Sequence, residues 1–346
     1  MRILPKSKLI VLVLAAAMLL ALPAAAHATL VFTRGHLQPV VWAAGDDGTK
    51  ARPIAKGTYP RVSPDGNSVV YYRIRKSTNY RQEMVLSKID GTGKPKVMLP
   101  RWSEPFSFDW SPDSSTIVAV TGPELGKKRL VSIDVASGKQ KTIARGYFSG
   151  VSFDWDENQI AYGKANSERY PPKVNVFTTH LERGTTERLT SDKRSLYPLW
   201  GPKDRIVFVK LLGGKKRRYG PKNDLFLMNE EGEVERRITN TKVGPLLAGL
   251  TPTAWSEDGD RLLAEFGGQD TSYAVTVDPL TGAERPLTKK RETGLVGADL
   301  SMDGSTVLGS IGGFEPGPGH KVVAIPYTGG KPKVLAKNAS EPDWSR

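Results

Sequence analysis

Three observations predict an all-β chain, a seven-bladed β-propeller of four-stranded blades. One turn phrase recurs seven times, short apolar strands follow each copy, and the two chain ends hold complementary parts of one blade. The phrase starts at an anchor residue, in turn Val62, Trp110, Trp155, Trp200, Trp255, Leu300 and Trp344, at intervals of 48, 45, 45, 55, 45 and 44 residues. A fixed period of that length marks a stack of small sheets, each of which must bury its faces against its neighbours.

The elements follow in order within each repeat. The anchor ends the first strand, and a turn such as Ser63-Pro64-Asp65-Gly66 follows, in which Asp bonds the backbone two residues on, Pro sets the direction and Gly accepts a positive φ. The second strand is apolar: Val69–Arg73, Ile117–Val120, Ile160–Gly163, Ile206–Lys210, Leu262–Phe266 and Val307–Ile311. A third strand ends in a turn, as in Met84–Asp90 before Gly91 or Leu225–Asn229 before Glu231-Gly232. The fourth is short and basic-apolar, ending in Glu187-Arg188-Leu189-Thr190 or Arg236-Arg237-Ile238-Thr239. Four such strands make one propeller blade.

The ends complete the count. Leu30–Thr33, Val40–Ala44 and Arg52–Ala55 match strands two, three and four of a blade without a first strand, and Glu341-Pro342-Asp343-Trp344-Ser345 carries the missing anchor. The C-terminal strand is therefore expected to complete the N-terminal blade and close the ring, which removes exposed sheet edges.

The first 28 residues are expected to be a signal peptide rather than part of the fold. Arg2, Lys6 and Lys8 form a basic n-region, Leu9–Leu22 is an apolar run short for a membrane span, and Ala26-His27-Ala28 has the small-x-small form of a cleavage site. Residues 29–346 are then one propeller domain. No twin-arginine pair is present, and the absence of Cys excludes both a lipid-modified lipoprotein and disulfide support. An exported chain built this way points to a bacterial envelope, periplasmic or extracellular and wall-associated.

The Tyr-Pro-x-Val-Ser-Pro-Asp-Gly of 59–66, Tyr-Pro-x-Trp of 197–200, Trp-Ser-x-Asp-Gly of 255–259 and Arg-Leu-Thr of 188–190 resemble the WD-like repeats of TolB-type β-propellers. The resemblance covers nearly all of residues 29–346 and implies the fold. The family's namesake is the periplasmic partner of a peptidoglycan-associated lipoprotein and has a small α/β domain before a six-bladed propeller. This sequence shows no such domain and counts one blade more, so the family's role enters as an analogy of fold.

Candidate chemistry is sparse. Of the histidines beyond the leader, His36 and His320 fall in loops between strands two and three of adjacent blades, and His180 lies in a third strand, which makes a weak metal site. No Gly-x-Ser-x-Gly elbow and no hydrolase domain are visible. No catalytic residue, metal or cofactor is expected. The positions before the anchors form a predicted ring around the central channel, Arg61, Asp109, Asp154, Leu199, Ala254, Asp299 and Asp343. Its charged members are expected either to satisfy one another and backbone amides, or to hold a cation or water.

Charge is the stronger signal. The chain carries 50 Lys and Arg against 36 Asp and Glu, and removal of the leader leaves 47 basic residues. The loops joining strands two to three hold 17 basic and 4 acidic residues, and the connections between blades, 145–149 among them, hold 10 basic and 4 acidic. Both sets emerge on one face, whose sum is 27 − 8 = +19. The rest of residues 29–346 sums to (47 − 36) − 19 = −8. The densest clusters are Lys127-Lys128-Arg129 and Lys215-Lys216-Arg217-Arg218 with the adjacent Tyr219. A solvated surface serving solubility would also be basic. Segregation to one face predicts an exported, non-enzymatic binding or scaffold protein that takes an anionic wall polymer, lipid headgroup or acidic envelope protein. The alternative is a lyase or hydrolase acting on an acidic polysaccharide in the funnel, and export argues against nucleic acid.

Overall fold

The computed structural model of the protein describes residues 29–75, 81–100, 107–123, 126–155, 158–167, 171–213, 221–244, 247–268, 271–288, 294–312 and 318–345. The expected signal peptide at 1–28 and the cluster Lys215, Lys216, Arg217, Arg218 and Tyr219 lie outside the described residues. Every regular element among the described residues is a β-strand.

The first three strands are β1 (Thr29–Arg34), β2 (Val40–Gly45) and β3 (Arg52–Lys56). A separate four-stranded sheet follows, β4 (Thr58–Val62), β5 (Ser68–Arg75), β6 (Arg81–Lys88) and β7 (Lys96–Leu99). Next come β8 (Phe108–Trp110), β9 (Thr116–Thr121), β10 (Lys128–Asp134), β11 (Gln140–Phe153), β12 (Gln159–Ala165), β13 (Val174–His180) and β14 (Thr186–Arg188). These form one seven-stranded sheet in which β11 serves two units. The next sheet holds β15 (Ser195–Gly201), β16 (Arg205–Leu212), β17 (Lys222–Asn229), β18 (Val234–Arg237), β19 (Leu247–Trp255), β20 (Leu262–Gly268), β21 (Ser272–Val277) and β22 (Glu284–Pro286). A single parallel contact, Asn223 with Gly249, joins its two antiparallel halves. A further four-stranded sheet is β23 (Leu295–Leu300), β24 (Thr306–Ile311), β25 (Lys321–Pro326) and β26 (Lys333–Lys337). The last strand, β27 (Ala339–Trp344), pairs antiparallel with β1, giving the order β27-β1-β2-β3.

The second strand of each unit shows why the units stack. In β9, Ile117, Val118, Ala119 and Val120 are all buried, an apolar run that fits a strand covered on both faces. Because successive side chains point to opposite faces, Ile117 and Ala119 join the cluster shared with Val70, Tyr72 and Met84, while Val118 and Val120 join the one shared with Val151, Phe153 and Ile160. β5 divides in the same way, Val70 and Tyr72 to one side, Val69 and Tyr71 to the other. The sheet of β27 and β1 packs on both flanks too. Val31, Val41 and Ala43 meet Val62, Val69 and Tyr71, and Leu30, Phe32 and Ala339 meet Leu308 and Val322. Hydrogen bonds tie the ends: the Thr29 amide donates to Ser345 Oγ at 2.7 Å and the Ser345 amide to the Thr29 carbonyl at 3.0 Å.

Two details differ from the sequence reading. Residues 145–149 are not a loop. β11 runs straight through them, pairing with β10 up to Gly146 and with β12 from Tyr147, so it is the last strand of one unit and the first of the next. The anchor of that next unit is Phe153, not Trp155. Phe153 stands opposite Ile160 as Val62 stands opposite Val69 and Trp110 opposite Ile117. Asp154 accordingly occupies the position of Ser63 and Ser111: its amide donates to the Gln159 carbonyl at 3.1 Å, as theirs do to Ser68 and Thr116.

Candidate functional site

The anchor turns are held by their own side chains. Ser63, Ser111, Ser256 and Ser301 donate through Oγ to Oδ1 of the Asp two residues on, at 2.5, 2.6, 2.5 and 2.6 Å. Each Oδ1 also accepts the amide two residues further, from Asn67, Ser115, Asp260 and Ser305 at 3.0, 3.0, 2.9 and 2.9 Å. The Ser hydroxyl bond, then the backbone amide, holds Asp113, Asp258 and Asp303 below the usual carboxylate range. Gly66 and Gly259 take φ of +71° and +69° at the turn, and Ser114 reaches +61° in the same place. These aspartates are occupied by turn geometry.

Correcting the anchor to Phe153 changes the ring. The residue before it is Ser152, so Asp154 leaves the set predicted around the channel. The revised positions show a repeated latch between neighbouring units. Asp343 Oδ2 accepts the Val62 amide at 2.8 Å, Asp109 Oδ2 the Phe153 amide at 2.9 Å, and Ser152 Oγ the Trp200 amide at 3.0 Å. In each, the side chain before one anchor takes the backbone N–H of the next anchor. The second oxygen of Asp109 accepts the Trp110 amide at 2.9 Å, and Asp299 accepts that of Leu300 at 2.8 Å. Arg61 Nε lies 3.8 Å from Asp343 Oδ1, and its Nη1 donates to the Pro60 carbonyl at 2.9 Å. Leu199 and Ala254 fill the remaining predicted places without a charge.

Sequence reasoning missed Glu341, which stands three residues before its anchor. Its Oε2 accepts Thr33 Oγ1 at 2.7 Å, Thr58 Oγ1 at 2.6 Å and the Tyr59 amide at 2.7 Å, so one carboxylate joins β27, β1 and β4. Burial, outweighing these bonds and the Arg61 charge, pushes its pKa up. Tyr59, Tyr197 and Glu341 each precede a proline and take φ of 51°, 50° and 55°. That shared X-Pro step before the anchor is the signal that would have flagged it.

On the side predicted to be basic, several cations stand opposite one another at strand ends. Register sets Arg75 opposite Arg81, Arg129 opposite Arg145, and Lys321 opposite Lys337. Lys128 starts β10, and Lys127 lies exposed just before it. Arg129, Arg145, Lys321 and Lys337 make no ion pair among the described residues. Four other cations toward this side are neutralised. Arg73 binds Glu83 at 2.6 Å, Lys210 binds Asp192 at 2.8 Å, and Lys222 at 2.9 Å and Arg237 both bind the fully buried Asp224.

The histidines do not converge. His320 gives its carbonyl to the Ala339 amide at 3.3 Å, and His180 lines a polar cleft with Gln159, Thr178, Arg183 and Glu187 on the turn side. Among the described residues, no group of three or more His, Cys, Asp or Glu is placed to hold a metal.

No protein-family model matches the sequence, and no curated protein matches it. Solved structures do match. TolB from Acinetobacter baumannii superposes with a TM-score of 0.55 at 16% identity, covering 91% of this chain and 82% of that one. The chain has a TolB-type β-propeller fold. The β-propeller domain of the Trilobed protease from Pyrococcus furiosus, described for its open velcro topology, matches this propeller at TM-score 0.62 and 17% identity over 90% and 92% of the two chains. An oligogalacturonate lyase in complex with manganese matches at 0.59 and 16% over 89% and 84%. A TolB, a protease domain and a lyase share the architecture, so the propeller alone specifies no activity.

Proposed function

We propose that the protein is an exported, non-enzymatic binding or scaffold protein of the bacterial cell envelope, using the basic face of a TolB-like propeller to take an anionic partner. In this reading residues 1–28 are removed after Ala28. Residues 29–346 form one ring of seven blades, closed where β27 completes the sheet of β1, β2 and β3. The partner is an anionic wall polymer, lipid headgroup or acidic protein, and Lys127, Lys128, Arg129, Lys215, Lys216, Arg217, Arg218 and Tyr219 are its candidate contacts.

The observation that carries this reading is the register of like charges. Cations directly opposite one another in a sheet destabilise it. Two hairpins of one face nonetheless hold such pairs at their open ends, Arg129 with Arg145 and Lys321 with Lys337. A surface serving solubility alone gains nothing from that alignment, whereas an anionic partner is held by both members of a pair. Reversing Lys127, Lys128 and Arg129 to Glu should lower affinity for extracted wall polymer or anionic vesicles, with the parent's own binding falling as salt rises. Equal binding by the two proteins across the salt series would reject the reading.

The lyase neighbour supports a second reading, cleavage of an acidic polysaccharide in the funnel. Unsaturated product from polyuronate in the presence of Mn²⁺ would establish it, and loss of that product on chelation would assign it to the metal.

A further inference from the structure

The basic face also carries apolar tips, and these distinguish one kind of anionic partner. Leu37, at the β1–β2 hairpin end, is 88% exposed, and Ile74, near the end of β5, is 51% exposed. Both hairpins belong to adjacent sheets that share a buried cluster, and both point to the edge where strands two and three connect. The unneutralised cations flank them. Lys321 and Lys337 lie in the sheet packed on one side of this pair, Arg129 and Arg145 in the sheet packed on the other. Exposed aliphatics therefore sit mid-arc, with paired cations at both ends.

A hydrated acidic polymer offers those side chains no apolar phase. A bilayer surface offers both: headgroup charge for the cations and the acyl boundary for the aliphatic tips, the two-part signal that peripheral membrane attachment requires. The opposite face supplies an internal comparison. Leu280 is 81% exposed and Met302 52% exposed there, in the turns that end β21 and β23. They have the same apolar character without aligned like-charge pairs: the nearby Arg236 and Arg261 donate to the Pro279 and Asp303 carbonyls.

We infer that the protein docks on an anionic lipid surface through this arc, with Leu37 and Ile74 entering the headgroup region between the Lys321–Lys337 and Arg129–Arg145 pairs. The inference rests on the basic-face reading and names its partner as a membrane rather than a soluble polyanion.

The chain has no cysteine, so a single introduced thiol is a unique label position. Leu37→Cys and Leu280→Cys proteins carrying an environment-sensitive dye are mixed with phosphatidylcholine vesicles, with and without phosphatidylglycerol. The label at position 37 should shift to the blue only with phosphatidylglycerol, and the label at 280 should not shift. In sedimentation, Leu37→Ser with Ile74→Ser should bind these vesicles roughly tenfold more weakly than the parent, the scale expected from losing two partly inserted side chains. The Leu280→Ser with Met302→Ser pair should bind as the parent does. Binding to soluble polygalacturonate should be unaffected in either pair. Vesicle binding by Leu37→Ser with Ile74→Ser equal to that of the parent, or parent binding to polygalacturonate without binding to vesicles, overturns the lipid assignment and leaves the basic face standing. Undiminished binding to both probes by the protein reversed at Lys127, Lys128 and Arg129 overturns both. The single Leu37→Ala variant repeats the vesicle measurement with the smallest change at the tip.

Discussion

On the inner strands, Asp109 receives two backbone amides, and Asp343 receives one amide with Arg61 alongside it. At the open ends of the outer strand pairs, Arg129 faces Arg145 and Lys321 faces Lys337, and none of the four makes an ion pair among the described residues. The two regions handle charge oppositely because they face different surroundings. A carboxylate held between sheets loses water and must gain donors, so each is surrounded by N–H groups. An exposed strand end keeps its water, so aligned cations there lose little stability and remain available to something outside. Satisfied charge marks the joints of this molecule, and in the function proposed above the aligned cations mark its binding surface.

The joints predict the largest effects. Deleting 339–346 removes β27, bares the edge of β1 and strips Trp344 from the cluster shared by the terminal sheets. Trp344 is half-buried, so loss of its packing alone costs less than the roughly 3–5 kcal/mol of a fully buried Trp. The truncated chain should aggregate or melt far below the parent in thermal denaturation, and an unchanged melting temperature would show that the last strand is dispensable.

A single latch should matter less. Asp109→Ala leaves the Phe153 amide without its acceptor from the neighbouring unit, worth about 1–3 kcal/mol for an unsatisfied buried donor. Asp154→Ala, outside the latch set in the corrected register, should lose less. Urea denaturation of both variants sharpens the assignment, and the reverse order would restore Asp154 to the ring.

Glu341 adds a pH signature. Burial raises its folded-state pKa above 4.5, so the protonated form is favoured in the folded chain. Its stabilising contribution is fully present below the unfolded pKa and is lost as pH rises through the folded value. Glu341→Gln keeps an oxygen for Thr33, Thr58 and Tyr59 and removes the buried charge. The melting temperature of the Gln variant relative to the parent should therefore climb from pH 4 to pH 7. A flat difference would mean that the carboxylate is well solvated.

Much of the fold was legible because the constraint repeats. A seven-residue step separates the anchor from its facing apolar residue in Val62 to Val69, Trp110 to Ile117, Trp255 to Leu262 and Leu300 to Val307. That same step exposes the error at the third anchor. Trp155 is only five residues from Ile160, whereas Phe153 is seven, and aromatic size drew the reading two residues too far. The loop assigned to 145–149 failed because Gly146 looks like a breaker, yet the backbone there carries one strand from sheet to sheet. Glu341 was hidden because its partners Thr33 and Thr58 lie at the far end of the chain and come together only through the pairing of β27 with β1. The sequence yields a charge sum for the predicted basic face. Which cations are neutralised was not legible, since Asp224 sits buried beneath Lys222 and Arg237 in a pattern that register alone reveals.

The claim that aligned cations serve binding rather than stability has a direct test in Arg145→Glu. The change turns the repulsive pair with Arg129 into a cross-strand ion pair, which should raise stability by about 0.2–1 kcal/mol. It also removes one of the cations facing the partner. Stability and affinity for anionic vesicles or wall polymer should therefore move in opposite directions, with a higher melting temperature and weaker, less salt-sensitive binding. A variant that is more stable and binds as tightly as the parent would contradict the account.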